Sequence, residues 1–264
     1  MGIALKLSGF EHVPADSAIY VPGKNIKSVL FGIDADAPEL LLAKQLGFDA
    51  VISHHPKGGT AVINFHFVFK RHIQQMIDAG VPKYDAEIAV QKKMTDLEVE
   101  MHSRNFGHAV DVAKILKMPY LNIHTPLDEL GRRIMSEKIA ETAEGSTVGD
   151  VVSVLSKLPE FEKSDTRIET RLGDSTNKAG NIIVSHAAGT NGGYRIAKTY
   201  FEHGVETLVY IHISPGDLEK LKSDGVGNLL ITGHIASDSV GINPFISELE
   251  NNDVSVSRIG IIPP

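Results

Sequence analysis

The chain has 264 residues, 42% of them hydrophobic and 22% charged, which is room for one large or two small α/β domains of an ordinary soluble globular protein. Its formal charge of -7 disfavours nucleic acid and anionic membranes as partners. The absence of cysteine excludes disulfides, thiolate nucleophiles and zinc sites built on sulfur, so any metal site must use imidazole and carboxylate.

The N-terminal run Met1-Gly2-Ile3-Ala4-Leu5-Lys6 lacks the basic flank and long apolar region of a signal peptide. No later apolar run approaches the ~20 residues that span a bilayer, so a cytoplasmic location is expected. Residues 28–34 read as a buried strand. Residues 38–46 read as a helix, with Pro38 in its first turn and Gly47 closing it, and 49–53 as the next strand. This βαβ unit predicts a parallel sheet. From 65 to 116 the pattern is helical. Phe69, Ile73, Met76 and Ile77 recur at three- and four-residue steps, and Gly80 ends that run. The stretch 87–102 is charged with few apolar residues, which predicts an exposed helix or one packed on a partner. A third helical stretch, 108–116, leads to a strand ending at His124. Helices are expected over 130–141 and 148–158, the latter with Thr147 as N-cap.

The second half repeats the alternation. Strands end at His186, His212 and His234. Helices are expected over 194–202, around 218–221 and over 244–249, with a last strand at 254–262. The glycine-rich turn 189–193 reads as a tight βα turn rather than an anion cradle, since it has neither the lysine of a P-loop nor the spacing of a dinucleotide fingerprint. Composition does not shift sharply enough along the chain to mark a domain boundary.

Five histidines, His54, His124, His186, His212 and His234, sit at predicted strand ends. Ligands of open α/β sheets bind there, outside the carboxyl ends of the strands. The doublet His54-His55 can hold two metal ions side by side. His124 and Asp128, like His234 and Asp238, are four residues apart and share a face if each segment opens a helix. Asp128 has two oxygens and can bridge two ions. Such ligands suit zinc, iron, manganese, cobalt or nickel. His186 and His212 rank below the others as ligands; either of them, or His124, could serve as general acid or base. His12, His66, His72, His102, His108 and His203 read as surface or structural residues.

These segments resemble the NGG-one-interacting-factor-three (Nif-three-like) family, many of whose members are labelled GTP cyclohydrolase I type 2. The resemblance rests on Ser53-His54-His55-Pro56, on His124-Thr125-Pro126-Leu127-Asp128, and on Gly233-His234 followed by Ser237 and Asp238. It implies a two-lobed α/β fold, with mixed or parallel sheets flanked by helices and a dinuclear metal site between the lobes. Residues 1–130 with 232–264 would form the metal-binding lobe and 131–231 the second. It implies His54, His55, Asp128, His234 and Asp238 as ligands of two divalent ions, with Asp128 bridging and His124 as second shell or substrate contact. It also implies assembly into a ring-shaped homohexamer. Two features depart from the family: Asp238 stands where Glu is usual, and the segment between His55 and His124 is long, with Lys57-Gly58-Gly59 in place of apolar residues. The function expected is a metal-dependent hydrolase of a small molecule, with His124 in an acid–base role. The alternative is a non-enzymatic metal-binding regulator or adaptor that uses 87–104 as its contact surface.

Overall fold

The computed structural model describes residues 1–264. In chain order the elements are α1 (Gly2–Ser8), β1 (Ala18–Val21), β2 (Ser28–Gly32), α2 (Ala37–Leu46), β3 (Ala50–Ser53) and α3 (Gly59–Ile63), followed by a 3₁₀ turn (Phe65–Lys70). Next come α4 (Arg71–Asp78), α5 (Lys83–His102), α6 (His108–Leu116), β4 (Tyr120–Asn122), α7 (Thr125–Ile139), α8 (Val148–Leu155) and α9 (Pro159–Glu162). The remainder is β5 (Glu169–Leu172), β6 (Ile182–Val184), α10 (Gly193–Glu202), β7 (Thr207–Tyr210), α11 (Pro215–Asp224), β8 (Asn228–Ile231), α12 (His234–Asn251) and β9 (Ser255–Ile259).

The expected βαβ unit is β2-α2-β3, with β2 and β3 parallel. Helix α2 begins at a reciprocal cap between Asp36 and Glu39 and ends at Gly47 in the left-handed conformation, as the sequence signals require. The strands form two mixed sheets. The first has the order β1-β4-β3-β2-β9 and the second β5-β8-β7-β6, each parallel apart from one antiparallel edge strand, β1 or β5.

Helices α7 and α12 lie between the sheets and belong to both cores. Their Leu127, Leu130, Ile242, Phe245 and Ile246 pack with Phe31, Ile33 and Ile52 of the first sheet. Their Met135, Ile139, Ala236 and Val240 pack with Val184, Val209 and Leu230 of the second. The outer face of the first sheet is covered by α2 and α6, and that of the second by α10 and α11 together with α4 and α5. The two central helices touch through glycine. A Cβ built at Gly241 would lie 2.0 Å from the Leu127 carbonyl oxygen, and one at Gly131 would lie 3.1 Å from that of Ser237.

Three elements differ from the sequence expectation. Helix α5 is not a free polar helix: Ala86, Ala89, Val90, Leu97 and Met101 bury one face in the core of the second sheet, while Tyr84, Ile88 and Val99 stay exposed. Its inner stripe relies on alanines, which carry little hydrophobic signal. Helices α4 and α5 therefore come from within the span 1–130 yet pack on the second sheet. Helix α7 starts at Thr125, five residues before the expected start, and α12 runs from His234 straight through Pro244. An interior proline costs a helix ~3 kcal/mol, and the burial of Ile242, Phe245, Ile246 and Leu249 around it offsets that.

Candidate metal centre

Each functional side chain is set by a strand end or by the first turns of the helix after it. The β2–β3 ladder continues past the strands, with the amides of His54 and His55 donating to the Gly32 and Ile33 carbonyls at 2.9 Å each. That pins both imidazoles at the sheet's carboxyl edge. His124 is the N-cap residue of α7, and His234 is the first residue of α12. The i, i+4 spacing then works as read: His234 Nε2 lies 3.3 Å from Asp238 Oδ2, and His124 Nε2 lies 3.7 Å from Asp128 Oδ2. Gly241, one turn after Asp238, meets the carbonyl of Leu127, the residue before Asp128, so this helix contact lies beside both carboxylates.

The segments converge on one point. His54 Nε2 is 3.1 Å from Asp128 Oδ1 and 3.7 Å from Asp238 Oδ2. His55 Nε2 is 3.4 Å from the same Asp238 oxygen. Three groups, His54-His55-His124, His55-His234-Asp238 and His54-Asp128-Asp238, each place their donor atoms within 4.8 Å of one another. His186 also reaches the cluster, with Nε2 3.7 Å from Asp128 Oδ1. His212 stands at its edge, ring centroid 4.6 Å from that of His234, with its own carbonyl and Nδ1 beside the Asn191 amide.

The tautomers follow from the outer partners. His54 Nδ1 meets the Ile123 carbonyl at 2.9 Å, His55 Nδ1 meets Asp34 Oδ1 at 2.9 Å, and His124 Nδ1 meets Asp16 Oδ2 at 2.7 Å. Carbonyl and carboxylate oxygens only accept, so each Nδ1 carries the proton and donates. In the neutral ring Nε2 is then a bare lone pair, and all three are aimed at the carboxylates of Asp128 and Asp238. Lone pair facing anion repels unless a proton or a cation lies between. His54 Nε2, Asp128 Oδ1, His186 Nε2 and Asp238 Oδ2 are buried and have no hydrogen-bond partner, which such atoms rarely tolerate; the 3.1 Å approach of the first two lacks hydrogen-bond alignment. Donors that share an ion at ~2.1 Å lie roughly 3.0–3.6 Å apart for angles of about 90–120°, close to the separations found here. The donor set therefore fits metal.

Charge follows the same logic. Burial opposes a charge on His124, but the carboxylates of Asp128 and Asp16 outweigh it and push its pKa up to about 9. Burial likewise opposes ionised Asp128 and Asp238, yet the imidazoles around them, His124 first for Asp128 and His54 first for Asp238, hold both below the usual carboxylate range. Burial lowers His186 and His234, and takes His212 down to about 4. The hydrogen bond from His55 depresses Asp34.

No protein-family model and no curated protein matches the chain. Among solved structures it is similar to a NIF3 superfamily protein from Sphaerobacter thermophilus, at 46% identity and a TM-score of 0.95, over 98% of this chain and 96% of that one. The chain belongs to the NIF3 superfamily. Two further likenesses show the NIF3 fold alone. Reduced HcgD from Methanocaldococcus jannaschii aligns at 12% identity and TM-score 0.57 over 97% and 93% of the two chains. A Bacillus cereus protein related to NIF3 aligns at 9% and 0.52 over 97% and 94%.

Within this NIF3 chain, the structure brings His54, His55, His124, Asp128, His234 and Asp238 together. Sequence reasoning missed Asp16 and Asp34, which orient His124 and His55, and it placed His186, with His212, below the other strand-end histidines, whereas the structure sets its Nε2 against Asp128. Asp34 follows β2 by two residues, so the strand-end rule alone marks it. Asp16 lies in the turn before β1 and carries no local signal.

Proposed function

We propose that this NIF3 protein binds two divalent ions through His54, His55, Asp128, His234 and Asp238 and is a metal-dependent hydrolase. The observation that carries the metal reading is the pair of Nε2 lone pairs on His54 and His55, fixed by outer acceptors and facing two buried carboxylates. Asp128 has two oxygens to offer as a bridge, with Oδ1 facing His54, and Asp238 Oδ2, at 3.7, 3.4 and 3.3 Å from His54, His55 and His234, reaches both sides as well. Zinc, iron, manganese, cobalt and nickel all accept such ligands. When bound, a pair of such ions supplies Lewis acidity and makes water nucleophilic at neutral pH.

The chain's own residues supply the rest. A cavity of about 720 Å³ opens beside His55, His124 and His234, a size that suits a small molecule. Phe65 and Leu97 give it apolar wall, while Lys93 and Arg104 stand at its rim. His124, held by Asp16 and facing both the cavity and Asp128, is placed to hold or deliver a proton at Nε2. Activity screening of metal-loaded protein across phosphoesters, nucleotides and cyclic amides tests the reading. Turnover of one class, lost in His124→Ala with metal retained, is expected. A fully loaded protein inert on every class contradicts the hydrolase assignment.

A second reading keeps the metal and drops the catalysis: a regulator or adaptor acting through α5, and a ring-shaped homohexamer using the same kind of surface. It is favoured by the exposed apolar side chains Tyr84, Ile88 and Val99 on a helix whose other face is core. Substituting these three with Glu should abolish partner capture or change oligomer mass while metal content stays constant. Unaltered mass and capture contradict it.

A further inference from the structure

His186, like His212 and His234, comes from a strand end of the second sheet. It follows β6, is buried, and its Nε2 has no hydrogen-bond partner. The oxygen it faces, Asp128 Oδ1 at 3.7 Å, is also unpartnered and is the one that His54 Nε2 approaches from the first sheet. A structural histidine in a core normally satisfies both ring nitrogens. This one presents a free donor to a carboxylate, at a separation no longer than the longest of the other candidate pairs.

The loop behind it is held by a device. Ala187 has φ +61°, a left-handed conformation that costs a residue with a Cβ ~1–2 kcal/mol and persists only where the surroundings fix it. Three side chains of α4 do the fixing. Gln75 Nε2 donates to the His186 carbonyl at 2.5 Å, Arg71 Nε to the Ala187 carbonyl at 2.7 Å, and His72 Nε2 to the Thr190 carbonyl at 2.8 Å. Arg71 also reaches Glu129, the neighbour of Asp128, at 3.1 Å. One guanidinium thus ties the strand end that carries His186 to the helix that carries the acid it faces.

We propose that His186 is a metal ligand of this centre, paired with Asp128, and that Arg71 and Gln75 are its positioning residues. The inference rests on the metal reading above and extends it: beside His234 after β8, His186 after β6 makes a further, buried donor from the second sheet, facing those of the first.

Cobalt(II) titration of the full chain, stripped with chelator, tests this. It reads stoichiometry by elemental analysis, affinity by competition and coordination by visible absorption. His186→Ala and the better-filling His186→Gln should each lose one ion per chain or bind it more than about 100-fold more weakly, with an altered absorption band. Gln75→Ala should keep the stoichiometry and weaken binding about tenfold, the scale of outer-shell losses. Circular dichroism of the apo forms verifies that the variants fold, and Gln is retained to cover collapse of the Ala variant. If wild type takes up cobalt and both His186 variants match it in stoichiometry, affinity and spectrum, the inference is overturned while the metal reading stands. If wild type takes up none, both fall.

Discussion

Gly241 tests how the fold builds the centre. Helices α7 and α12 carry Asp128 and Asp238, and they touch where a Cβ at position 241 would lie 2.0 Å from the Leu127 oxygen, 2.8 Å from the Gly131 nitrogen and 2.9 Å from the Leu127 carbonyl carbon. All three atoms are backbone, so no rotamer change relieves the clash. In Gly241→Ala the helices must part by about 1 Å to restore ordinary contact. Overpacking of this kind costs ~1–3 kcal/mol, and the ~1 kcal/mol helix preference of Ala over Gly offsets part of it. The backbone clash puts the net loss near 2 kcal/mol, or roughly 4–8 °C in Tm for a chain of this size. Metal sites tolerate distance errors of about 0.2 Å, so a 1 Å parting of the two acids should also weaken metal binding by more than tenfold. Gly131→Ala is the control. Its nearest contact is 3.1 Å, and the gain in helix preference should leave stability within ~1 kcal/mol of wild type. Urea unfolding of apo protein and zinc titration read both effects. If Gly241→Ala matches Gly131→Ala in both, the close crossing does not set the spacing of Asp128 and Asp238.

Acid should destabilise the fold through His72. Burial lowers its pKa from 6.5 to about 4, so between those values the unfolded chain binds a proton that the folded chain does not. The contribution is complete above pH 6.5 and is lost as pH falls towards 4, a change of about 3 kcal/mol. Subtracting the unfolding free energies of His72→Gln from those of wild type across pH 4–7 should isolate that slope; a flat difference contradicts it. Asp34→Asn weakens the acceptor that orients His55, and isothermal titration should show metal affinity falling about 10–100-fold, whereas Asp16→Asn, at the carboxylate that orients His124, should lower turnover and leave metal affinity within about twofold; unchanged affinity in Asp34→Asn, or a metal loss in Asp16→Asn as large as that, contradicts these roles. Stripping metal with chelator should lower Tm by about 5–10 °C where free metal had stood at 100 times Kd, since that loading contributes ~2.7 kcal/mol. An unshifted melt means that nothing bound the folded state.

The site was legible where short-range rules act. A strand followed by His puts the imidazole at a carboxyl edge, and the four-residue steps from His124 to Asp128 and from His234 to Asp238 put each pair on one helix face. The doublet at 54 and 55, the βαβ unit around α2 and the two-lobed mixed-sheet fold followed from such patterns and from the family resemblance. What stayed hidden depends on contacts distant in sequence. His186 faces Asp128 because α7 is shared by two sheets, and nothing near residue 186 encodes that. Asp16 meets His124 across 108 residues of chain. The buried face of α5 is hidden because Ala86 and Ala89 pack closely without looking apolar, and α12 continues through Pro244 because the packing around it outweighs a local stop signal.

The account rests on cations lying between the Nε2 lone pairs and the carboxylates of Asp128 and Asp238. An anomalous-difference map, collected at the edge of the metal found by elemental analysis of protein purified without chelator or nickel resin, tests that directly. Two peaks per chain are predicted, one beside His54 and the other beside His55, His234 and Asp238, with Asp128 within bonding distance of both. A metal-loaded crystal with its peaks elsewhere, or none within bonding distance of Asp128 and Asp238, contradicts it.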